Sequence, residues 1–159
     1  MRLYMQQKVF TFGDQFSIYS ENGEVVYTVE GEVFTFGKKL HLLDARGNER
    51  LYISERAFSF MPRYEIYRGE DLIAEVVREF RLFASGYHVE GFGWQVEGEF
   101  FDHDYQILGA DGHLVAQMSK EWFTWGDAYE IDIREDGNVE AALAVMLVID
   151  ACIEKQRRS

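Results

Sequence analysis

An uninterrupted apolar segment near the C-terminus constrains the fold of this chain more than any other feature of its sequence. Residues 141–149 read Ala-Ala-Leu-Ala-Val-Met-Leu-Val-Ile and follow Asn138, a residue type that commonly caps a helix N-terminus. At about 100° per residue, these positions cover every face of a helix, so the helix must be buried on all sides. Asp150 interrupts the run, and a charged segment at 154–158 ends it. The sequence therefore predicts a buried core helix over about residues 139–155.

The remainder of the chain carries strand and turn signals from about residue 3 to residue 134. Apolar and polar residues alternate with a period of two, and Asn22-Gly23 and Asp111-Gly112 are dipeptides typical of tight hairpins. Gly47 and Gly69 mark weaker turns of the same kind. The four turn glycines, at 23, 47, 69 and 112, are 24, 22 and 43 residues apart, and the last interval is close to twice the others. Repeated hairpins without intervening helices indicate an antiparallel barrel, and the apolar helix must be wrapped by its strands.

The C-terminal part of this pattern is similar to that of a known family. The segment Tyr129–Ile133, a short acidic turn and the apolar segment from residue 139 to residue 150 resemble the LURP-one-related proteins. That family shares its fold with the C-terminal domain of tubby proteins and with phospholipid scramblases. The resemblance covers nearly the whole chain. It implies one tubby-like domain over residues 1–159, mainly β, in which a closed antiparallel barrel of about twelve strands surrounds the central hydrophobic C-terminal helix.

The resemblance implies a fold more than a reaction, because one fold can carry many functions. Tubby domains bind phosphoinositide head groups through basic residues, but no stretch of this sequence matches their binding motif. We therefore expect a non-enzymatic binding or scaffold domain with an unknown protein or lipid partner. A peripheral phospholipid-binding or phosphoinositide-binding domain is the first alternative.

The charge distribution limits the possible partners. The formal net charge of −12 argues against nonspecific binding to nucleic acid or to an anionic membrane surface. Residues 82–136 hold 12 acidic and 2 basic side chains, whereas residues 38–81 hold 8 acidic and 9 basic ones. An anionic head group should therefore bind in the middle of the chain, and the candidates are Lys38, Lys39, Arg46 and Arg50. The alternative is that these four are ordinary solvated residues of strands and turns.

A metal-dependent hydrolase is the second alternative. Asp102, His103 and Asp104 stand together, with Asp111 and His113 one hairpin away, and carboxylates with imidazoles suit a divalent metal if they converge. In a strand, however, Asp102 and Asp104 would share one face and His103 would point to the other. A polar strand end and turn is the preferred interpretation. No serine, threonine or cysteine has the context of a catalytic nucleophile, so we assign no catalytic residue, metal or cofactor.

Two further features bear on location and partners. The first ten residues contain no continuous apolar run, and the apolar helix is shorter than the roughly 20 residues that span a membrane, so at most peripheral membrane contact is expected. Cys152, the single cysteine, permits no internal disulfide, which favours the cytoplasm. An aromatic set could line a partner surface or pack in the core, and core packing is preferred; its members are Trp94, Trp122, Phe123 and Trp125.

Overall fold

The computed structural model describes residues 1–6, 15–32, 36–80, 85–123 and 126–158. Twelve antiparallel strands form a closed barrel, in which each strand pairs with its neighbours in sequence and β1 also pairs with β12. The predicted closed, mainly β barrel is confirmed. The strands are β1 (Arg2–Gln6), β2 (Gln15–Ser20), β3 (Val25–Gly31), β4 (Lys39–Asp44), β5 (Glu49–Glu55), β6 (Arg63–Arg68), β7 (Asp71–Phe80), β8 (Ser85–Glu90), β9 (Trp94–Glu99), β10 (Asp104–Leu108), β11 (Leu114–Phe123) and β12 (Gly126–Ile133).

The predicted turn glycines all lie at one end of the barrel, which we call the tight-turn end. Gly23, Gly47, Gly69 and Gly112 have φ angles between +61° and +87°, a region that glycine enters without steric cost. Gly91, at φ +103°, occupies a fifth turn of this end, between β8 and β9. This turn divides the interval of 43 residues into 22 and 21, so the hairpin repeat continues without a gap.

The central helix, α1, spans Val139–Arg158 and begins at the tight-turn end. We call the opposite end, where the helix terminates, the helix-exit end. Every residue from 141 to 149 is at most 5% exposed, because the alternate apolar side chains of the strands surround the helix. Leu40, Leu42, Leu51 and Ile53, for example, are essentially inaccessible. The predicted core helix is confirmed, with three more residues at its C-terminus than expected. In the described part of the chain, no helix is long and apolar enough to cross a membrane.

Candidate functional site

A concave surface with polar groups lies at the tight-turn end, and we call it the polar groove. Its volume is about 750 Å³, and it lies between the N-terminus, the β2–β3 turn and the β4–β5 turn. The carboxylate of Asp44 shapes the second of these turns by accepting hydrogen bonds of 2.9 Å from the backbone N–H groups of Arg46 and Asn48. These bonds, that from Asn48 first, hold the pKa of the Asp44 carboxyl below its usual value. The turn presents the exposed side chain of Arg46 at the edge of the groove.

The wall of the polar groove contains both positive and negative groups. The N-terminal ammonium of Met1 donates to the carbonyl oxygen of Ile133 at 2.7 Å, and Arg2 Nε lies 2.6 Å from Glu130 Oε1. These two cations are therefore already engaged. Within the described residues, the guanidinium of Arg46 makes no ion pair, so it is the cation that a ligand can reach most easily. The carboxylates that line the groove are those of Glu21, Asp44 and Asp136.

Arg50, a second residue predicted to bind an anion, is tied to the start of the helix instead. Its Nε donates to Glu140 Oε2 at 2.8 Å, and the hydroxyl of Tyr27 donates to the same oxygen at 3.3 Å. Burial and then the neighbouring carboxylate raise the pKa of Tyr27 to about 12. This network joins β3, β5 and the first turn of α1. Arg50 thus has a structural partner that an incoming anion would have to displace.

The two predicted lysines lie at the other end of the barrel. Lys38 Nζ is 3.8 Å from Glu154 Oε2, and the Lys38 backbone N–H donates to Glu55 Oε1 at 3.3 Å. Lys39 begins β4, and Arg46 follows the end of that strand. The strand has six residues, which extend about 20 Å at roughly 3.3 Å each. The structure therefore separates the four basic candidates into two pairs, and one small ligand cannot contact both.

The candidate metal ligands are separated in the same way. His103 precedes β10 at the helix-exit end, whereas Asp111 and His113 follow it at the tight-turn end. His113 lies beside Asp111 and Glu135 on the surface, and hydrogen bonding to Asp111, then to Glu135, raises its pKa. Within the described residues, no group of three or more histidine, cysteine or acidic side chains could hold a metal ion. The structure gives no support to the metal-dependent hydrolase.

The backbone near His103 forms a turn that leads into β10, in line with the preferred interpretation of a strand end and turn. Residues Phe100–Asp102 form a short 3-10 turn, and His103 has φ +54° in the left-handed region. This conformation directs the imidazole into the barrel, where it is 5% exposed and stacks on Tyr129 with 4.1 Å between ring centroids. Its Nε2 is 3.5 Å from Asp150 Oδ1. Asp150, the acid that interrupts the apolar helix sequence, therefore lies beside a buried imidazole, a contact that its position in the sequence did not indicate.

A second polar cluster inside the barrel surrounds Cys152. Tyr64 and Tyr87 approach the thiol with their hydroxyl groups, and burial raises the pKa of the thiol to about 11. The Tyr64 hydroxyl also donates to Glu55 Oε2 at 3.0 Å. A thiol in this state is a poor nucleophile, because the thiolate is the reactive form. Cys152 therefore packs in the core, as predicted.

The predicted aromatic set does not form a single patch. Trp94 starts β9 at the tight-turn end, is 6% exposed and packs on Phe92 with 4.8 Å between ring centroids. The preferred core role is confirmed for this tryptophan. The backbone of residues 122 and 123 ends β11 at the opposite end of the barrel, and Trp125 lies outside the described residues.

Comparisons with known proteins agree with this architecture. The family model described as LURP-one-related matches residues 1–150. The chain is 31% identical over 151 residues to YxjI, an uncharacterized protein of Bacillus subtilis (strain 168), with 94% of this chain and 92% of that protein covered. An X-ray structure of an Arabidopsis thaliana protein superimposes with a TM-score of 0.63 at 20% identity, covering 92% of this chain and 88% of the other. This structural likeness concerns the fold.

Proposed function

Because the chain belongs to the LURP-one-related family, we propose that it acts as a non-enzymatic binding or scaffold domain of the cytoplasm, with its partner on the outside of the barrel. The observation that carries this proposal is the filled interior. Helix α1 occupies the space in which wider barrels hold a ligand, and residues 141–149 are all buried against the strands. A partner must therefore contact an end or the outer face.

The polar groove is the first place to look for that contact. It is concave, it combines cationic and anionic groups, and it includes the exposed guanidinium of Arg46, which makes no ion pair within the described residues. Such a mixture suits a polar segment of a partner protein better than a strongly charged ligand, because the groove carries no large field of one sign. The turns that build its walls are held by backbone hydrogen bonds, so the groove is preformed.

An anionic head group is the second candidate ligand. Because the predicted basic residues lie at two ends of the barrel, this hypothesis has two versions with different binding sites. One version places the anion at Arg46, with Arg50 released from Glu140. The other places it at Lys38 and Lys39, with Lys38 released from Glu154. Both versions require an ion pair to open, Arg50–Glu140 in the first and Lys38–Glu154 in the second. The first is favoured because it also offers the exposed guanidinium of Arg46 beside a groove.

Thermal unfolding with soluble probes tests both candidates. The probes are glycerophosphoinositol phosphates, inorganic phosphate and short mixed-charge peptides, each titrated against the wild type, Arg46→Glu, and the double variant Lys38→Glu/Lys39→Glu. Arg68→Glu is the matched control, because Arg68 is an exposed arginine of another turn at the same end. A probe at about 100 times its Kd should raise Tm by about 5–10 °C.

We expect Arg46→Glu to abolish the shift and Arg68→Glu to keep it. A shift that all four proteins share would remove the polar groove as the site, and a shift lost in the lysine double variant alone would favour the other end. Reproducible turnover of a substrate, abolished by one point substitution, would overturn the non-enzymatic proposal itself.

A further inference from the structure

All five phenylalanines that are exposed in the described part of the chain lie at the helix-exit end. Phe58 and Phe60 are 92% and 98% exposed, values that place nearly the whole ring in water. Soluble proteins rarely leave several large aromatic side chains together on one surface unless that surface binds something apolar. We call this set the phenylalanine rim; its members are Phe36, Phe58, Phe60, Phe80 and Phe101.

The phenylalanine rim follows an arc around the barrel end, because its members come from three connections and from the end of one strand. Phe36 lies between β3 and β4, and Phe58 and Phe60 lie between β5 and β6. Phe80 ends β7, and Phe101 belongs to the 3-10 turn between β9 and β10. Phe36, Phe58, Phe80 and Phe101 are 22, 22 and 21 residues apart, so the hairpin repeat delivers one phenylalanine per unit. The arc spans eight neighbouring strands of the twelve, a shape that fits a flat surface better than a groove.

The β5–β6 loop is the most prominent part of this rim. Residues 56–63 read Arg-Ala-Phe-Ser-Phe-Met-Pro-Arg and contain no acidic residue, although the chain as a whole carries −12. The base of the loop is fixed by hydrogen bonds from Arg56 N to Arg63 O at 2.9 Å and from Arg78 N to Pro62 O at 3.0 Å. Phe58 has φ +60°, a strained conformation for a residue with a β-carbon. The fold thus holds Phe58 in a strained backbone conformation while its aromatic ring is exposed to solvent.

Cationic groups lie next to two of these phenylalanines. The guanidinium of Arg78 lies 4.5 Å from the centroid of the Phe80 ring, and Arg157 Nη2 donates to the Phe101 carbonyl oxygen at 3.3 Å. Among the acids of this end, Glu55 is paired with Lys155 at 3.0 Å, whereas Glu99 and Asp102 are exposed. Exposed aromatic rings beside arginines suit the boundary between acyl chains and phosphates at a bilayer surface.

We propose that the helix-exit end docks on the interfacial region of a lipid bilayer, with the phenylalanine rim inserted among the acyl chains and the adjacent arginines at the depth of the phosphates. This surface is at the opposite end from the polar groove, so the inference goes beyond the proposed function and does not depend on it. The negative net charge opposes attraction to anionic lipid, so apolar area must supply the affinity. Zwitterionic lipid should therefore be sufficient, and salt should have little effect.

Flotation with phosphatidylcholine vesicles tests this inference on the full chain. We expect wild-type protein to float with the vesicles equally at low and physiological salt. Phe58→Ser/Phe60→Ser should lower the partition coefficient at least about tenfold, because each ring removes apolar area from water on insertion. Leu72→Ser is the matched control, since Leu72 is also exposed and apolar (48%) but is the second residue of β7, at the tight-turn end. Lys38→Glu/Lys39→Glu tests a head-group site in the same assay.

The flotation of the variants distinguishes insertion of the phenylalanine rim from other modes of binding. Loss of flotation in the phenylalanine double variant alone, with unfolding midpoints unchanged, supports insertion. The proposal is overturned if wild-type protein does not float, or if the double variant floats as well as Leu72→Ser. It is also overturned if binding requires anionic lipid and disappears with the lysine variant, or if the rim instead joins two copies in sedimentation and no vesicle is bound. Phe58→Trp adds a direct readout, because the fluorescence emission of the new indole ring should shift to the blue only when the ring enters the bilayer.

Discussion

The strongest test of the fold is a cavity in the central helix at Leu147. This side chain is 2% exposed and is surrounded by the strands. Leu147→Ala removes three carbons from the core, which costs about 2.4 kcal/mol at about 0.8 kcal/mol each. The cavity left behind adds to this loss of stability, because a closed sheet has no free edge along which the strands can move inward to fill the cavity. We therefore expect a loss of about 3–5 kcal/mol, the upper part of the range for such substitutions.

Equilibrium unfolding in urea measures this loss by linear extrapolation. Leu72→Ala is the comparison, since the same three carbons are removed from a side chain that is 48% exposed, and the loss should stay below about 1 kcal/mol. Leu147→Asp should prevent folding, because an unpaired buried carboxylate costs several kcal/mol of a total stability of about 5–15. Equal losses at Leu147 and Leu72, or a cooperatively folded Leu147→Asp protein, would refute the central position of the helix.

Two ionisable groups give further expectations. Cys152 should not react with iodoacetamide in the native protein at pH 8 and should react fully in denaturant, because its thiol is buried with a pKa of about 11. Mass spectrometry measures the extent of alkylation. Rapid labelling of the native protein would contradict the buried position. Asp111 and Glu135 raise the pKa of His113 above its ordinary value of 6.5. The protonated imidazole should therefore stabilise the fold fully below pH 6.5, and this stabilisation should be lost as the pH rises through the raised pKa. The difference in unfolding free energy between wild type and His113→Gln should accordingly shrink from pH 5 to pH 9, and a constant difference would contradict this coupling.

The sequence predicts the barrel and its helix because these depend on local patterns that act independently. Asn22-Gly23 and Asp111-Gly112 determine tight turns through the backbone alone, and the apolar segment at 141–149 has to be buried whatever surrounds it. The interval of 43 residues between Gly69 and Gly112 implied a further turn between them. Gly91 forms this turn, but it belongs to no Asn-Gly or Asp-Gly pair, so the local sequence did not indicate its position. The inward direction of His103 depends on one left-handed residue, which no periodic pattern indicates.

The candidate site was harder to predict because distance in an antiparallel barrel does not follow distance in sequence. Lys39 and Arg46 are seven residues apart, yet a full strand separates them. Phe36 and Phe101 are 65 residues apart, yet both lie at one end. Residues one strand length apart lie at opposite ends of the barrel, whereas residues separated by whole hairpins lie at the same end. A search for a surface site in such a chain should therefore look for a residue type that recurs at the hairpin interval of about 22, and the exposed phenylalanines satisfy that condition where the clustered basic residues do not.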